Sequence, residues 1–371
     1  MMTSTDHQSD RIEYLDAVRG IAALSVVFYH ILGSHWDWMR ETKIAMFFLN
    51  GSDAVAMFFV LSGLVLSIKA INKRTEIDSS YYKRYSIARI FRLYPAFLFM
   101  IIIYYLYAHI NENIFTLFKT TITTNPHFFW EEALLVRDHH HLFFPDWTLG
   151  VEVALSLLVP FLVIVVRQSN KLLIFMIIGL MFAGKIYYSQ FLLHFALGVL
   201  IANNFKRIVE FRDTSKWWYK YRWWLIPIVF FFYSMRHFLA LCPLPGNIQY
   251  FMSSILYIDE YAFSGLASAC LLLYIINTKR IQDILSHNVF SFLGKISYGV
   301  YLSHWLFTNI VMRNFEYLLN TYCGGNEGIF LFYYTIFTLV CTILAATFLY
   351  YLIELPAIRL GKKFVRRFAS T

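Results

Sequence analysis

The feature that most constrains this chain is a series of long apolar runs, because an α-helix needs about 20 consecutive apolar residues to cross a bilayer. Hydrophobic residues make up 58% of the 371 residues and charged residues only 15%, a balance that excludes an ordinary water-soluble domain. The sequence therefore predicts an all-α, polytopic integral membrane helix bundle of about ten transmembrane helices. The apolar runs lie near residues 18–38, 53–68, 94–110, 148–166, 172–183, 190–204, 223–240, 254–276, 290–311 and 328–353.

Two of these runs leave the helix count open. Residues 172–183 and 190–204 are short for a membrane span, and the intervening sequence is only GKIYYSQ. They predict either two tilted helices or one re-entrant feature.

The distribution of Lys and Arg predicts the orientation of the spans, since cytoplasmic loops carry the excess of positive charge. With the N-terminus placed inside, 25 of the 32 basic residues fall in inner segments and seven in outer ones. The pattern predicts an even number of spans with both termini in the cytoplasm. The net charge of +9 follows mostly from this topology, and basic residues dispersed over loops do not favour a nucleic-acid partner.

The two ends of the chain are expected to be short cytoplasmic tails. Residues 1–14 are polar and lack the basic region, apolar core and cleavage site of a secretory signal. Residues 358–371 are basic, which is typical of an anchor that faces anionic membrane lipid. Because no internal repeat or linker interrupts the chain, residues 1–371 are expected to form a single membrane domain.

Cysteine and histidine spacing does not favour a metal site. Cys242, Cys270, Cys323 and Cys341 show no CxxC or Cys/His ligand spacing, and we expect them to be unpaired. Cys270 and Cys341 are expected to be buried packing residues. The run His139–His141 resembles a metal cluster, but it lies in an expected outer loop without an obvious fourth ligand, which favours a solvated loop.

The first apolar segment, LDAVRGIAALSVVFYH at residues 15–30, keeps two ionisable side chains. Arg19 and His30 are eleven residues apart, about three helical turns and about 16 Å of rise, so both project from nearly the same face. An ionisable group inside a bilayer costs free energy unless it faces a cavity or a partner, which favours a functional role for His30. Arg19 is close to the inner interface, where it either snorkels or pairs with Asp16 three residues earlier.

A second motif, SIARIFRLYPAF at residues 86–97, places two cations three residues apart. If the segment is helical, Arg89 and Arg92 point the same way and suit bidentate contacts with phosphate. Pro95 is then expected to mark a change of direction. Arginines at the inner interface are also what topology alone requires, so this pair has two interpretations.

A third motif, PDWTLGVEVALSLLVP at residues 145–160, places Glu152 about one turn into an apolar span. The carboxylate either pairs with an imidazole or an arginine on another helix, or simply caps the helix start. Trp147 is typical of an interfacial aromatic residue.

Three further motifs complete the set. SYGVYLSHW places His304 inside the ninth predicted span, and YLIELPAIRL places Glu354 near the inner end of the tenth. In FFVLSGLVLS, Ser62 and Gly63 permit close approach of helices.

Taken together, these motifs resemble the membrane-bound acyltransferase family 3, the bacterial sugar and glycan O-acyltransferases, along essentially the whole chain. Arg19 and His30 meet the family's spacing of an arginine, ten residues and a histidine, and Arg89 and Arg92 meet its Arg-x-x-Arg. The other motifs that carry the resemblance are FFVLSGLVLS, WTLGVE ending in Glu152, ISYGVYLSHW and IELPA.

The resemblance implies an inner-membrane enzyme that moves an acyl group, most often acetyl, from an acyl-CoA to a hydroxyl of a cell-envelope or exported glycan, such as a lipopolysaccharide or another lipid-linked sugar. The partners are then the acyl-CoA donor, the glycan acceptor and membrane lipid, and no bound cofactor is expected. Arg89 and Arg92, on the inner side, would grip the CoA phosphates.

The expected catalytic residues are His30, Arg19 and Glu152, with Asp16, Ser62, Trp147 and His304 in support. His30 would take the proton of the acceptor hydroxyl as it attacks the thioester, with Glu152 or Asp16 orienting the ring. Arg19 would either offset the charge of the tetrahedral intermediate or hold the donor phosphates. His30 lies deeper than Arg19 by about 16 Å of helical rise, which fits a reaction centre in mid-membrane.

Two other classes of protein compete with this interpretation. A transporter or flippase of glycan or polymer also carries buried charges, but it usually has paired halves with broken helices, which this sequence does not show. A non-catalytic scaffold gives no reason for His30.

Overall fold

A computed structural model of the chain describes residues 12–33, 51–108, 135, 146–181, 189–241, 246 and 260–368. All regular structure within these ranges is helical, with no strand, which confirms the expected all-α class. The first eight α-helices are α1 (Glu13–Gly33), α2 (Gly51–Asn72), α3 (Ser79–Ala108), α4 (Asp146–Ser156), α5 (Val159–Gln168), α6 (Asn170–Met181), α7 (Ser189–Thr214) and α8 (Lys216–Tyr221). The others are α9 (Leu225–Leu241), α10 (Glu260–Ile276), α11 (Lys279–Leu285), α12 (Asn288–Met312), α13 (Phe315–Tyr322), α14 (Glu327–Leu349) and α15 (Leu355–Phe368).

Several helices are long and apolar enough to cross a membrane. Among the described residues there are five such helices, or seven if each of two bent helix pairs is one span. Every apolar run that the sequence identified overlaps at least one described helix. Ten spans, and the cytoplasmic location of both termini, stay predictions.

Three helices account for the difference between the seven spans that length and hydropathy identify and the ten spans that the sequence predicted. α6 is apolar but has only 12 residues, and α9 has 17, so both fall short of about 20 residues. α12 is long enough, with 25 residues, but polar side chains such as Ser297, Ser303 and His304 lower its mean hydropathy. The length of α12 is therefore compatible with a membrane span, whereas its hydropathy does not indicate one.

The bent pairs have identifiable local causes. The break between α4 and α5 lies next to Pro160, which lacks the N–H that a continuous helix would need. α10 and α11 meet at 96°. Here Asn277 and Thr278 donate side-chain hydrogen bonds, of 2.7 and 2.8 Å, to carbonyls one turn earlier and so close the end of α10.

Pro95 does not interrupt the helix in which it lies. The expected change of direction at this residue is wrong, because α3 continues as one helix of 30 residues with Pro95 inside it. A proline is tolerated within a membrane helix when packed neighbours compensate for the missing hydrogen bond. Arg89 and Arg92 accordingly lie on the same continuous helix.

By its contacts the chain forms two compact units. The first contains the described residues of 1–26, 35–78 and 155–295. Its centre is the packing of α2 against α7, which depends on glycine: a Cβ at Gly63 would overlap the carbonyl oxygen of Phe195, and one at Gly198 would overlap that of Val60. The predicted close helix approach at Gly63 is confirmed.

Two buried polar side chains of the first unit, Asp53 and His194, form hydrogen bonds. The hydroxyl of Ser264 donates to the carboxylate of Asp53, and both residues are buried. Nε2 of the buried His194 lies 2.8 Å from the carbonyl oxygen of Tyr261. Such contacts are expected in lipid, where an unpaired polar group is costly.

The second unit contains the described residues of 27–34, 79–154 and 296–371. The apolar face of α3, including Phe97, Ile101 and Tyr104, forms its core with Leu302 of α12 and Leu349 of α14. Nearer its N-terminus, α3 packs against α15: the Phe91 and Phe364 rings stack at 5.4 Å, and Gly361 leaves no room for a Cβ beside Phe91.

The helical stretch at the end of the second unit changes from an α-helix to a π-helix and back without a break. Between α14 and α15, residues Tyr350–Glu354 form a π-helix, so that a 41-residue helical stretch runs from Glu327 to Arg367. Pro356 offers no N–H to the carbonyl of Leu352, which accounts for the wider turn.

The expected basic tail at 358–371 is helical as far as Phe368. Gly361 marks the side of α15 that packs on α3. The basic side chains are spaced three and four residues apart, and are therefore on the opposite side of the helix. They are all exposed: Arg359, Lys362, Lys363, Arg366 and Arg367.

The cysteine predictions are partly confirmed. Cys270, Cys323 and Cys341 are unpaired, as expected. Cys323 is buried, whereas Cys270 and Cys341, expected to be buried, are only half-buried. Cys242 and His139–His141 lie outside the described residues.

Candidate active site

Two imidazoles lie side by side in the second unit. His30 is in the last turn of α1, and its ring centroid is 5.3 Å from that of His304 on α12. The edge of Trp305 is also close, with a centroid separation of 5.0 Å from His30. His30 is only half-buried, whereas His304 is fully buried. The two histidines that the sequence singled out on different helices are thus neighbours.

The hydrogen bonding of His304 fixes its tautomer. Its Nδ1 lies 2.7 Å from the backbone carbonyl oxygen of Tyr301, and because a carbonyl only accepts, Nδ1 must carry the hydrogen. In the neutral ring, Nε2 is then an acceptor. This nitrogen is buried and has no hydrogen-bond partner within the described part of the chain. The site thus contains an open proton acceptor beside His30.

A hydroxyl pair extends the site from α12 to α4. The Tyr301 ring lies 5.7 Å from the His304 ring, and its hydroxyl forms a 2.5 Å hydrogen bond with that of Thr148. Thr148 is one helical turn before Glu152, so both side chains are on one face of α4. Trp147, in the first turn of α4, is half-buried.

Glu152 forms an ion pair with the first arginine of the Arg-x-x-Arg motif. Nη2 of Arg89 donates to Oε1 of Glu152 at 3.0 Å, and both side chains are mostly buried, at 13% and 23% exposure. Of the partners considered for Glu152, the structure therefore selects an arginine. A partly buried, charge-assisted bond of this kind fixes the orientation of the guanidinium group.

The second arginine of the motif is influenced by another carboxylate. Arg92 interacts electrostatically with Glu354, which lies in the π-helix. Tyr298 of α12 interacts with both of these charges, and its hydroxyl donates to the Leu93 carbonyl at 2.8 Å.

Arg19 and Asp16 belong to the first unit. They form the expected same-face ion pair, with Nη1 of Arg19 2.9 Å from Oδ1 of Asp16 and with exposures of 18% and 12%. Ser62, also in the first unit, is buried on α2. Roles for these three residues, and for Glu152 as an orienting group of His30, stay predictions.

Sequence reasoning gave no role to three of these residues. Tyr298, Tyr301 and Thr148 carry no charge, so the cost of burying ions did not single them out. Their signal was spacing: Tyr298, Tyr301 and Trp305 recur at three and four residues, which is one face of a helix. No group of three metal-binding side chains occurs among the residues that the structure describes.

These contacts define a class of protein: a multi-pass membrane helix bundle with paired imidazoles beside a cluster of arginines and carboxylates. The chain belongs to the acyltransferase 3 family, whose model, described as "Acyltransferase domain", matches residues 12–351. The family inferred from the motifs is confirmed, and the protein is an acyltransferase.

One curated relative and the solved structures complete the comparison. A protein of Acidianus two-tailed virus named "Putative acetyltransferase ORF330" is 25% identical over 312 residues, which cover 79% of this chain and 82% of the viral protein. No solved structure gives a significant match.

Proposed function

We propose that the protein is an inner-membrane O-acyltransferase that moves an acyl group, in most cases acetyl, from an acyl-CoA to a sugar hydroxyl of a cell-envelope or exported glycan. The observation that carries this proposal is the contact between His30 and His304, in which the tautomer of His304 is fixed. The name of the viral relative supports acetyl as the group.

The imidazole pair supplies the proton handling that ester formation requires. The acceptor hydroxyl gives its proton to His30 as its oxygen attacks the thioester carbon, which forms a tetrahedral intermediate. The intermediate expels the CoA thiolate, and His30 returns the proton to that sulfur. His304 is a positioning residue: its Nε2 has no partner among the described residues and is available to accept an N–H of His30 when the acceptor binds, so that the other nitrogen of His30 keeps its lone pair.

The arginines of α3 bind the donor. Arg89 and Arg92 suit phosphate because guanidinium groups offer several donors in a fixed plane. Glu152 keeps Arg89 oriented before the donor arrives. The donor phosphate then binds the Arg89 guanidinium group, either together with the Glu152 carboxylate or in its place. Arg19 either stabilises the negative charge of the intermediate or adds to the phosphate contacts.

The proposal is tested with the purified protein in lipid nanodiscs, radiolabelled acetyl-CoA and candidate glycans. His30→Ala should lower label transfer by about 10²–10⁴-fold, the usual contribution of a general base. His287→Ala is the matched control, since His287 is exposed and should leave transfer unchanged.

Transfer by the folded His30→Ala protein at the wild-type rate would refute the proposed role. Movement of an unmodified glycan across a proteoliposome membrane, without any label transfer, would instead favour the transporter class.

A further inference from the structure

Glu354 is a buried carboxylate to which the proposed reaction gives no role. Glu354 is only 1% exposed, and neither of its carboxylate oxygens has a hydrogen-bond partner among the described residues. Buried carboxylates in proteins are usually paired or hydrogen-bonded, because burial without compensation is expensive. A buried carboxylate whose two oxygens have no partner among the described residues therefore suggests a group that binds a ligand.

The local backbone supports a functional explanation. Glu354 is the last residue of the π-helix, at the point where the long terminal helix is wider than an α-helix. Such segments occur frequently at functional sites because they redirect a side chain that a regular helix would point elsewhere.

Glu354 lies within a compact group of charges. Ile353, the residue before Glu354, and Tyr298 both pack against the core cluster that contains Leu93, the residue after Arg92. The Tyr298 hydroxyl donates to the Leu93 carbonyl at 2.8 Å, and the charges of Arg89, Arg92, Glu152 and Glu354 all act on it. The charge of Arg92 also acts directly on the Glu354 carboxylate. The open carboxylate therefore adjoins the arginines assigned to the donor phosphates.

The chemistry of a carboxylate limits what Glu354 can bind there. Phosphate is excluded as its direct ligand, since two negative groups repel each other. The ligand must instead bring hydrogen-bond donors. In an acyl-CoA, the group that follows the phosphates is the pantetheine arm, which carries a hydroxyl and two amide N–H groups.

We propose that Glu354 binds the pantetheine arm of the donor, accepting hydrogen bonds from its hydroxyl or amide N–H groups while Arg92 holds the neighbouring phosphate. This inference rests on the proposed function, because it assumes an acyl-CoA donor. It assigns the arm a polar contact inside the helix bundle, where its N–H groups would otherwise lose the hydrogen bonds that they made with water.

Binding measurements with donor fragments test the inference. The full-length protein in nanodiscs is titrated with CoA, with 4′-phosphopantetheine and with adenosine 3′,5′-bisphosphate, which has no pantetheine arm. Glu354→Ala should weaken binding of the first two by about tenfold or more, the usual effect of losing a hydrogen bond to a charged group, and leave the bisphosphate unchanged. Glu354→Gln, which keeps one acceptor oxygen and the side-chain size, should weaken CoA by about threefold.

Two control variants separate this role from a structural one. Glu327→Ala removes an exposed carboxylate from the start of the same terminal helix and should change no affinity. Arg92→Ala should weaken CoA and the bisphosphate alike, because both carry phosphate.

Equal weakening of CoA and the bisphosphate by the Glu354 variants would overturn the inference, since the carboxylate would then act on the phosphate site or on folding. Unchanged affinity for CoA in both variants would overturn it as well. If the wild-type protein binds neither CoA nor either fragment, the acyl-CoA donor itself is refuted, and the inference fails with the proposed function.

Discussion

At the residue scale, the ion pair of Arg89 and Glu152 fixes the orientation of both side chains. Glu152 engages a guanidinium group on α3, and Arg89 is oriented before any ligand arrives. An arginine held in this way loses less rotamer entropy when it binds a phosphate.

We therefore expect Arg89→Ala to weaken CoA binding by about tenfold or more, because a charge-assisted phosphate contact is lost. Isothermal titration of the protein in nanodiscs measures the change. Arg280→Ala, which removes an exposed arginine from α11, is the control and should have no effect.

Arg89→Lys keeps the charge and should retain part of the affinity. An Arg89→Ala protein with wild-type affinity for CoA would show that Arg89 serves only the orientation of the span.

Residue-scale prediction from the sequence worked where a side chain is costly to bury. His30 and Glu152 were identified in this way, whereas Arg89 was identified by its spacing from Arg92; the structure places Arg89 and Glu152 in contact. Tyr301 and Thr148 were not given roles, because hydroxyl groups are common in membrane helices and their pairing depends on which helices meet. That information lies in the tertiary contacts and not in either motif.

At the element scale, a close helix contact in the first unit depends on two glycines. Gly63 on α2 and Gly198 on α7 each lie where any Cβ would overlap the backbone of the other helix. Small residues at such positions let membrane helices pack through their backbones.

Gly198→Leu should lower stability by about 1–3 kcal/mol, since the two helices must separate to accommodate the side chain. Thermal unfolding of the purified protein measures the loss. Gly179→Leu is the matched control, because a Cβ at Gly179 meets nothing within 4 Å.

If Gly198→Leu unfolds at the wild-type temperature, close packing at this contact is not what stabilises the first unit.

Helix ends were harder to predict than helices. Pro160 stands beside a break and Pro95 does not, although both interrupt apolar runs. A proline removes the same N–H in each case, and whether the helix continues depends on the packing around it. The π-helix before Pro356 is a third outcome of the same chemistry.

At the scale of the whole molecule, the predicted topology follows from charge alone. The excess of Lys and Arg in alternate loops predicts an even number of spans with both termini in the cytoplasm. The fold class and the family were predictable because hydropathy and six ordered motifs extend over the whole chain. The number of spans was not settled by hydropathy, since α12 combines a span's length with a polar stripe.

Reporter fusions test this topology. Green fluorescent protein fused after Thr371 should fluoresce, and alkaline phosphatase inserted after Arg313, in a predicted outer segment, should be active. The reverse result at Thr371 would contradict an even number of spans with an internal N-terminus.

The lengths of two packed helices have a consequence for how a reactant first meets the protein. α3 measures about 45 Å and the stretch from Glu327 to Arg367 about 60 Å, whereas the hydrocarbon layer is about 30 Å thick. Both helices therefore extend beyond the layer if they cross it upright. The exposed cations of α15 would then project a long-range attractive potential into water, and capture of a polyanion would slow as ionic strength rises.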